Sequence, residues 1–209
     1  MEEKKESTFT RIMNRVADLV ILNVLYFISC IPIVTLGAAR AALFDVCYRF
    51  DTPEEHSVAK TYWAAFRSNF KQATGLWLLM GLLGSTAAVD VVMLLAANGK
   101  ITGTVLLSLL ALVLVLMVQA ILFPLISRFQ NTWGASLKNA LLLTLAQFPK
   151  ALLLGFLEAL PVGLWLLNPW VFVRVGFLFV LIYFALVGWL AAALLRKTFA
   201  RLAENSKEA

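Results

Sequence analysis

Two long runs without a charged residue constrain this chain more than any other feature. Ile101–Phe123 and Val175–Leu195 contain no Asp, Glu, Lys or Arg, and Leu76–Ala97 contains only Asp90. Each run approaches or exceeds the roughly 20 residues that a helix needs to cross a hydrocarbon core of about 30 Å. Because lipid offers no hydrogen-bond partner to an exposed backbone, we predict that these runs are transmembrane helices rather than strands.

The composition of the whole chain points to the same class of protein. Its 209 residues are 61% hydrophobic and only 14% charged, whereas a soluble domain is about 45–50% apolar and 25% charged. A soluble fold of this size has too little interior to bury so much apolar surface. Two further runs, Val16–Leu36 and Ala151–Leu167, complete five predicted spans. We therefore predict an all-α fold, a polytopic membrane helix bundle with five full spans.

The stretch that follows the first span is predicted to turn back through the membrane. Pro32 removes a backbone donor and disfavours helix at the residue before it, while Gly37 adopts turn geometry at low cost. Thr35 lies between them. The returning helix, Leu36–Phe50, carries Arg40 and Asp45, which are costly to expose to lipid. We therefore expect this short helix to lie inside the bundle.

The distribution of basic residues favours this return. If the chain returns, only Lys100 and Arg174 of the 18 Lys and Arg residues lie on the outer side of the membrane, and Arg40 lies within the returning helix. Without it, the basic amino terminus would lie outside, against the tendency of Lys and Arg to remain on the cytoplasmic side. We therefore expect a multi-pass protein of the cytoplasmic membrane with both termini in the cytoplasm.

The segment after the returning helix has the pattern of an amphipathic helix on the inner surface. Thr52 is placed to cap it, Pro53 suits its first position and Glu55 completes a capping box. Basic and aromatic residues then recur at helical spacing, as in interfacial helices. This helix either packs against its own bundle or presents a surface to a cytoplasmic partner. Its candidate partner-facing residues are Tyr62, Trp63, Phe66, Arg67, Phe70 and Lys71.

The resulting organisation is a single transmembrane domain, residues 1–209. Residues 1–50 form the amino-terminal hairpin, and residues 52–123 form a surface helix followed by two spans. A second surface helix with two spans follows at 131–195, and 196–209 form a cytoplasmic tail.

Four charged residues within the predicted membrane region are the main candidates for a functional site: Arg40, Asp45, Asp90 and Glu158. Such charges normally face a bundle interior or a watery cavity, and they are often paired. One hypothesis is a charge-compensated core, with Arg40 held by Asp90 or Glu158. The other is a polar pocket or proton-linked pathway that uses the three carboxylates.

The sequence offers little material for catalysis. His56 is the single histidine, so a histidine-based metal cluster cannot form within one chain, and no Walker A motif occurs. We expect no enzyme activity, no metal and no cofactor. The net charge of +6 is concentrated at the predicted inner face, where it fits attraction to anionic membrane lipids rather than binding to nucleic acid.

A family resemblance covers most of the chain and is strongest from Ala17 to Trp77. The stretches "ADLVILNVLYFISCIPIVTLGAARAAL" and "FRSNFKQATGLW" resemble the YesL family of bacterial integral membrane proteins, whose function is unknown. The residues that carry the resemblance are Asp18, Leu22, Asn23, Pro32 to Thr35, Gly37, Ala38, Phe66 and Phe70 to Gln72. Arg40 departs from the family pattern, which more often has a small or polar residue there.

The resemblance implies an association with bacterial carbohydrate use, because genes of that family tend to lie beside oligosaccharide importers of the ATP-binding cassette type and beside two-component sensors. The chain lacks the E-A-A…G motif by which importer permeases dock their ATPase. We therefore expect an accessory or regulatory protein that contacts such a permease or a sensor kinase. The alternative is a stand-alone small-solute transporter or channel that uses the intramembrane polar pocket. A membrane enzyme or lipid-handling protein is a third, less favoured class, and the oligomeric state is left open.

Overall fold

The chain forms eight α-helices in the computed structural model, which describes residues 8–50 and 57–208. No β-strand occurs in these two ranges. The helices in chain order are α1 (Thr8–Cys30), α2 (Leu36–Arg49), α3 (Val58–Asn98), α4 (Gly103–Arg128), α5 (Trp133–Ala146), α6 (Phe148–Leu167), α7 (Pro169–Leu178) and α8 (Phe184–Glu208). A 3-10 turn, Ile33–Thr35, precedes α2, and a π-helical turn, Phe179–Tyr183, joins α7 to α8.

Five of the helical segments are long and apolar enough to cross a membrane, which confirms the predicted class of fold. They are Ile12–Cys30, Val58–Ala97, Gly103–Arg128, Phe148–Leu167 and Pro169–Glu204. The last combines α7, the π-helical turn and most of α8. The chain is therefore a polytopic helical bundle.

The chain doubles back after α1, as predicted. Arg15 near the start of α1 donates a hydrogen bond to the carbonyl oxygen of Phe50, just after the end of α2. The Arg15 guanidinium carbon also lies 4.4 Å from the centre of the Phe50 ring. At the turn, the Thr35 hydroxyl lies within hydrogen-bond distance of the carbonyl oxygens of Pro32 (2.7 Å) and Ser29. These contacts join both ends of α1 to the returning segment.

Helix α2 lies at the centre of the bundle. All of its residues from Gly37 to Cys47 are buried except Arg40, which is partly buried. Its four alanines are fully buried, and small side chains of this kind let neighbouring helices approach closely. The helix packs against α1, α3, α4 and α8. This position confirms the expectation that the short returning helix is enclosed by the bundle.

Gly37 was predicted to adopt turn geometry, and this prediction is wrong. The turn is completed by Thr35, and Gly37 is the second residue of α2 with an ordinary helical backbone. A Cβ atom at Gly37 would lie 2.6 Å from the Cβ of Trp77 and would also overlap the carbonyl oxygen of Ala73. The absence of a side chain is therefore required by the close approach of α2 to α3.

Gly37→Ala is expected to lower the free energy of unfolding, because the obstructing atoms include backbone, which cannot rotate away. Overpacking of this kind costs about 1–3 kcal/mol. The effect is measured as the melting temperature of the detergent-purified protein. Melting is monitored as the loss of the monodisperse peak in size-exclusion chromatography.

Gly81→Ala is the matched control, since a Cβ there meets no atom within 4 Å. This control should be neutral or slightly stabilising, because Ala favours helix over Gly by about 1 kcal/mol. Equal melting temperatures for the two variants would contradict the close-approach explanation.

The predicted inner-surface helix and the span after it are not separate elements. They form α3, one helix of 41 residues, which at 1.5 Å per residue is about 60 Å long. The predicted capping residues Thr52, Pro53 and Glu55 lie outside the described residues, and α3 begins at Val58. Within the helix, Gly75 provides space rather than a break. A Cβ atom there would lie 2.5 Å from a carbon of the Trp133 ring.

The corresponding region of the second half is interrupted. Helix α5 ends at Ala146 and α6 begins at Phe148, with Gln147 between them in a non-helical conformation. Pro149 occupies the first turn of α6, where its missing N–H has no cost, but it cannot continue the hydrogen-bond pattern of α5. In the second half, a proline therefore separates the predicted surface helix from the following span. In the first half, no proline lies between the corresponding segments, and they form one continuous helix.

Candidate functional site

An ion pair between Arg40 and Glu158 forms the centre of the candidate site. Arg40 comes from the central helix α2, and Glu158 comes from the middle of α6. The Arg40 Nη2 and Glu158 Oε2 atoms are in direct contact. Only 13% of the Arg40 side chain and 15% of the Glu158 side chain are exposed. Of the two predicted partners of Arg40, Glu158 is thus the one that the structure places beside it.

Two residues of α4 also contact Arg40. Its Nη1 donates a hydrogen bond of 3.4 Å to Gln119 Oε1, and its guanidinium carbon lies 4.6 Å from the centre of the Phe123 ring. Our sequence reasoning missed both residues. Gln119 could have been found, because it is the only amide side chain between Ile101 and Phe123, and a buried amide normally has a partner.

A cavity of about 240 Å³ adjoins this pair. Apart from the two charged groups, its lining is aliphatic and aromatic: Tyr26, Leu36, Leu43, Phe44, Trp77, Pro161, Val162, Phe184, Val187 and Gly188. Tyr183 ties the π-helical turn to α6 close to Glu158, because its hydroxyl donates a 2.7 Å hydrogen bond to the carbonyl oxygen of Leu157. The cavity suits an apolar or amphipathic molecule better than a fully polar one.

The other two carboxylates lie elsewhere. Asp45 is 5% exposed and accepts a 2.9 Å hydrogen bond from Nε of Arg49, one turn further along α2. It lines a separate cavity of about 530 Å³ with Lys60 and Arg128. Asp90 is exposed, and within the described ranges no ion pair holds it. The structure therefore does not bring Asp45, Asp90 and Glu158 together into one pathway.

The candidate partner-facing residues divide between two sides of α3. Tyr62 is fully buried in the bundle, so it cannot present a surface to a partner, and its inclusion in that set was wrong. Trp63 and Phe70 are 38% and 39% exposed, and Arg67 and Lys71 beside them are also exposed. The half-buried Phe66 links the two aromatic rings, with centroid distances of 5.4 Å to Trp63 and 5.6 Å to Phe70.

A buried asparagine holds the π-helical turn between α7 and α8. Asn23 of α1 is fully buried, and its Nδ2 donates to the carbonyl oxygens of Phe179 (2.9 Å) and Val180 (2.6 Å). Its Oδ1 accepts a 2.9 Å hydrogen bond from the backbone N–H of Ala185. One amide side chain thus bonds two carbonyl groups within the irregular turn and one N–H just after it, which attaches α1 to the start of α8.

Comparison with known proteins finds one family model that matches part of the amino-terminal half of the chain. Residues 19–91 match the family model described as "Protein of unknown function, DUF624". The matched segment covers most of α1, the turn, α2 and α3 as far as Val91, and it includes Arg40 but not Glu158. No curated protein and no solved structure matches the chain. The match thus covers the elements around the buried helix α2 and assigns no activity.

Proposed function

We propose that the chain is an accessory or regulatory membrane protein that contacts a partner membrane protein through α3. The exposed residues Trp63, Arg67, Phe70 and Lys71, here called the α3 face, are the observation that carries this proposal. Aromatic residues and arginine are enriched at protein interfaces and supply most of their binding energy. The opposite side of the same stretch is buried against the bundle through Val58, Tyr62 and Ala65, so the α3 face is held rigidly in place.

The class of partner in this proposal comes from the resemblance to the YesL family. That resemblance implies a role beside oligosaccharide importers in bacteria, and the permease subunit of such an importer is the proposed partner, with a sensor kinase as the other candidate. We further propose that the end of the bundle that carries Arg15, Arg49, Arg128 and Arg196, here called the basic end, faces the cytoplasm. The positive-inside tendency supports this orientation. A topology reporter fused to the carboxy terminus tests it, because the reporter shows on which side of the membrane that terminus lies.

Co-purification from the native host in mild detergent tests the contact. Trp63→Ala combined with Phe70→Ala is expected to reduce the recovered permease by at least about tenfold, because losing two aromatic anchors typically costs more than 1.4 kcal/mol. The matched control is Trp165→Ala combined with Trp170→Ala. These tryptophans are 53% and 80% exposed near the opposite end of the bundle. The proposal would be refuted if both double variants recovered the same amount of permease. It would also be refuted if the unmodified protein recovered none.

A stand-alone small-solute transporter is the second candidate function. The cavity beside the Arg40–Glu158 pair favours it, because charged groups next to a cavity at membrane depth are typical of transport sites. The separation of Asp45 and Asp90 from that cavity favours the accessory function instead. Solute flux into proteoliposomes that contain the purified protein alone would support the transporter.

A further inference from the structure

A third cavity lies at the basic end, remote from the Arg40–Glu158 pair. Its volume is about 410 Å³, and it lies between the start of α6 and the second half of α8. Three cationic side chains line it, Lys150, Lys197 and Arg201, together with the polar side chains of Gln147 and Thr198. Among the residues that the structure describes, no carboxylate lines the cavity or pairs with these cations. The cavity is therefore complementary to an anion.

An apolar groove of about 380 Å³ adjoins this basic cavity. It runs between the end of α4, the helix α5 and α8, and its lining is mainly aliphatic and aromatic. The apolar lining residues are Leu125, Phe129, Leu142, Leu143, Ala146 and Leu202. Leu202 lines both the groove and the basic cavity, and Ala146 of the groove is followed directly by Gln147 of the cavity. The two spaces therefore meet.

We infer that the groove and the basic cavity together bind one anionic phospholipid, with its phosphate among Lys150, Lys197 and Arg201 and an acyl chain in the groove. Cationic side chains form strong charge-assisted hydrogen bonds with phosphate oxygens, and basic pockets between helices at the cytoplasmic side are typical sites for anionic headgroups. The cavity also lies at the amino-terminal end of α6, where the helix dipole favours negative charge.

The groove selects a lipid over a water-soluble phosphate compound. A soluble anion would occupy the basic cavity and leave the apolar lining of the groove uncovered. The surface next to the groove is itself apolar, since Leu142 and Leu145 of α5 are 55% and 60% exposed. A lipid covers both kinds of surface at once.

The contrast with the cavity around Asp45 supports this choice of site. That cavity is also lined by cations, Arg49, Lys60 and Arg128, but it contains a carboxylate that already holds Arg49. Its remaining lining, from α3 and α4, is largely polar, with no adjoining apolar groove among its residues. The site between α6 and α8 combines uncompensated positive charge with an apolar extension.

Native mass spectrometry of the full chain in detergent tests the inference. The unmodified protein should retain phosphatidylglycerol at least about tenfold better than phosphatidylcholine with the same acyl chains. Lys197→Gln combined with Arg201→Gln should weaken retention of phosphatidylglycerol by about 10- to 30-fold, at about 1 kcal/mol for each cation removed. The matched control, Lys100→Gln combined with Arg174→Gln, removes two exposed cations from the opposite end and should leave retention unchanged.

Competition separates a lipid from a free anion. Glycerol phosphate, the headgroup without chains, should not displace phosphatidylglycerol from the unmodified protein at equal concentration. Displacement by glycerol phosphate, equal retention of the two lipids, or an equal loss in the control variant would each overturn the inference. Two of these readouts use the unmodified protein, so they hold even if the Lys197 and Arg201 variant fails to fold.

Discussion

Glu158→Ala is expected to destabilise the protein more than any other single substitution of a carboxylate. It leaves the Arg40 guanidinium without its counter-ion in a largely apolar setting, although the hydrogen bond to Gln119 remains. Removing one partner of a buried ion pair costs about 3–5 kcal/mol, because the other charge remains buried and uncompensated. The measurement is the thermal midpoint at which the purified protein leaves its monodisperse state, together with the yield of folded protein.

Two further variants show whether this loss arises from the pair. Asp90→Ala removes an exposed carboxylate from another span and should shift the midpoint little. Arg40→Met combined with Glu158→Leu removes both charges and should recover much of the stability, because well-packed apolar residues often replace a buried ion pair at no cost. If Glu158→Ala and Asp90→Ala melt alike, or if the double variant is no better than Glu158→Ala, the Arg40–Glu158 pair does not stabilise the bundle.

The sequence is sufficient to predict the spans and the return of the chain, since both depend on local properties. A run such as Ile101–Phe123 is apolar over its whole length, and the distribution of Lys and Arg favours an even number of crossings. The partner of Arg40, in contrast, cannot be predicted from local properties. The sequence offers both Asp90 and Glu158 as partners, and only the packing of α2 against the rest of the bundle decides between them.

The errors in the predicted α3 region have a common physical origin. The surface helix and the span were predicted as separate elements, but the glycine between them, Gly75, costs only about 1 kcal/mol in a helix, which tertiary packing outweighs. The space at Gly75 is taken by the ring of Trp133, 58 positions further along the chain. Tyr62 likewise shares the spacing of the exposed aromatics and is nevertheless buried. Neither contact can be predicted from the local sequence pattern.

Asn23→Ala is expected to have the second-largest effect on stability. It removes the donor to the carbonyl oxygens of Phe179 and Val180 and the acceptor for the N–H of Ala185. Each buried backbone group left without a partner costs about 1–3 kcal/mol, so with the lower value for each of the three groups the total loss is about 3 kcal/mol. Hydrogen exchange of the backbone amides around Ala185, measured by mass spectrometry, should accelerate in the variant.

The loss would be smaller if the π-helical turn could rewind into regular α-helix and satisfy its own backbone. A π-helical turn carries one extra residue, so rewinding would rotate all of α8 by about 100° relative to α7. That rotation would move Gly188 from its contact with α2, where a Cβ atom would lie 3.2 Å from the Cys47 sulfur. The closely packed face of α8 therefore opposes the rewinding.

Val24→Ala is the control for Asn23→Ala, because Val24 is the next residue of α1 and is 43% exposed. It should leave both the melting midpoint and the exchange of the Ala185 region close to those of the unmodified protein. Unchanged exchange and melting in Asn23→Ala would show that the hydrogen bonds of Asn23 do not hold the π-helical turn. In that case the turn would depend on the position of α2 and not on the asparagine.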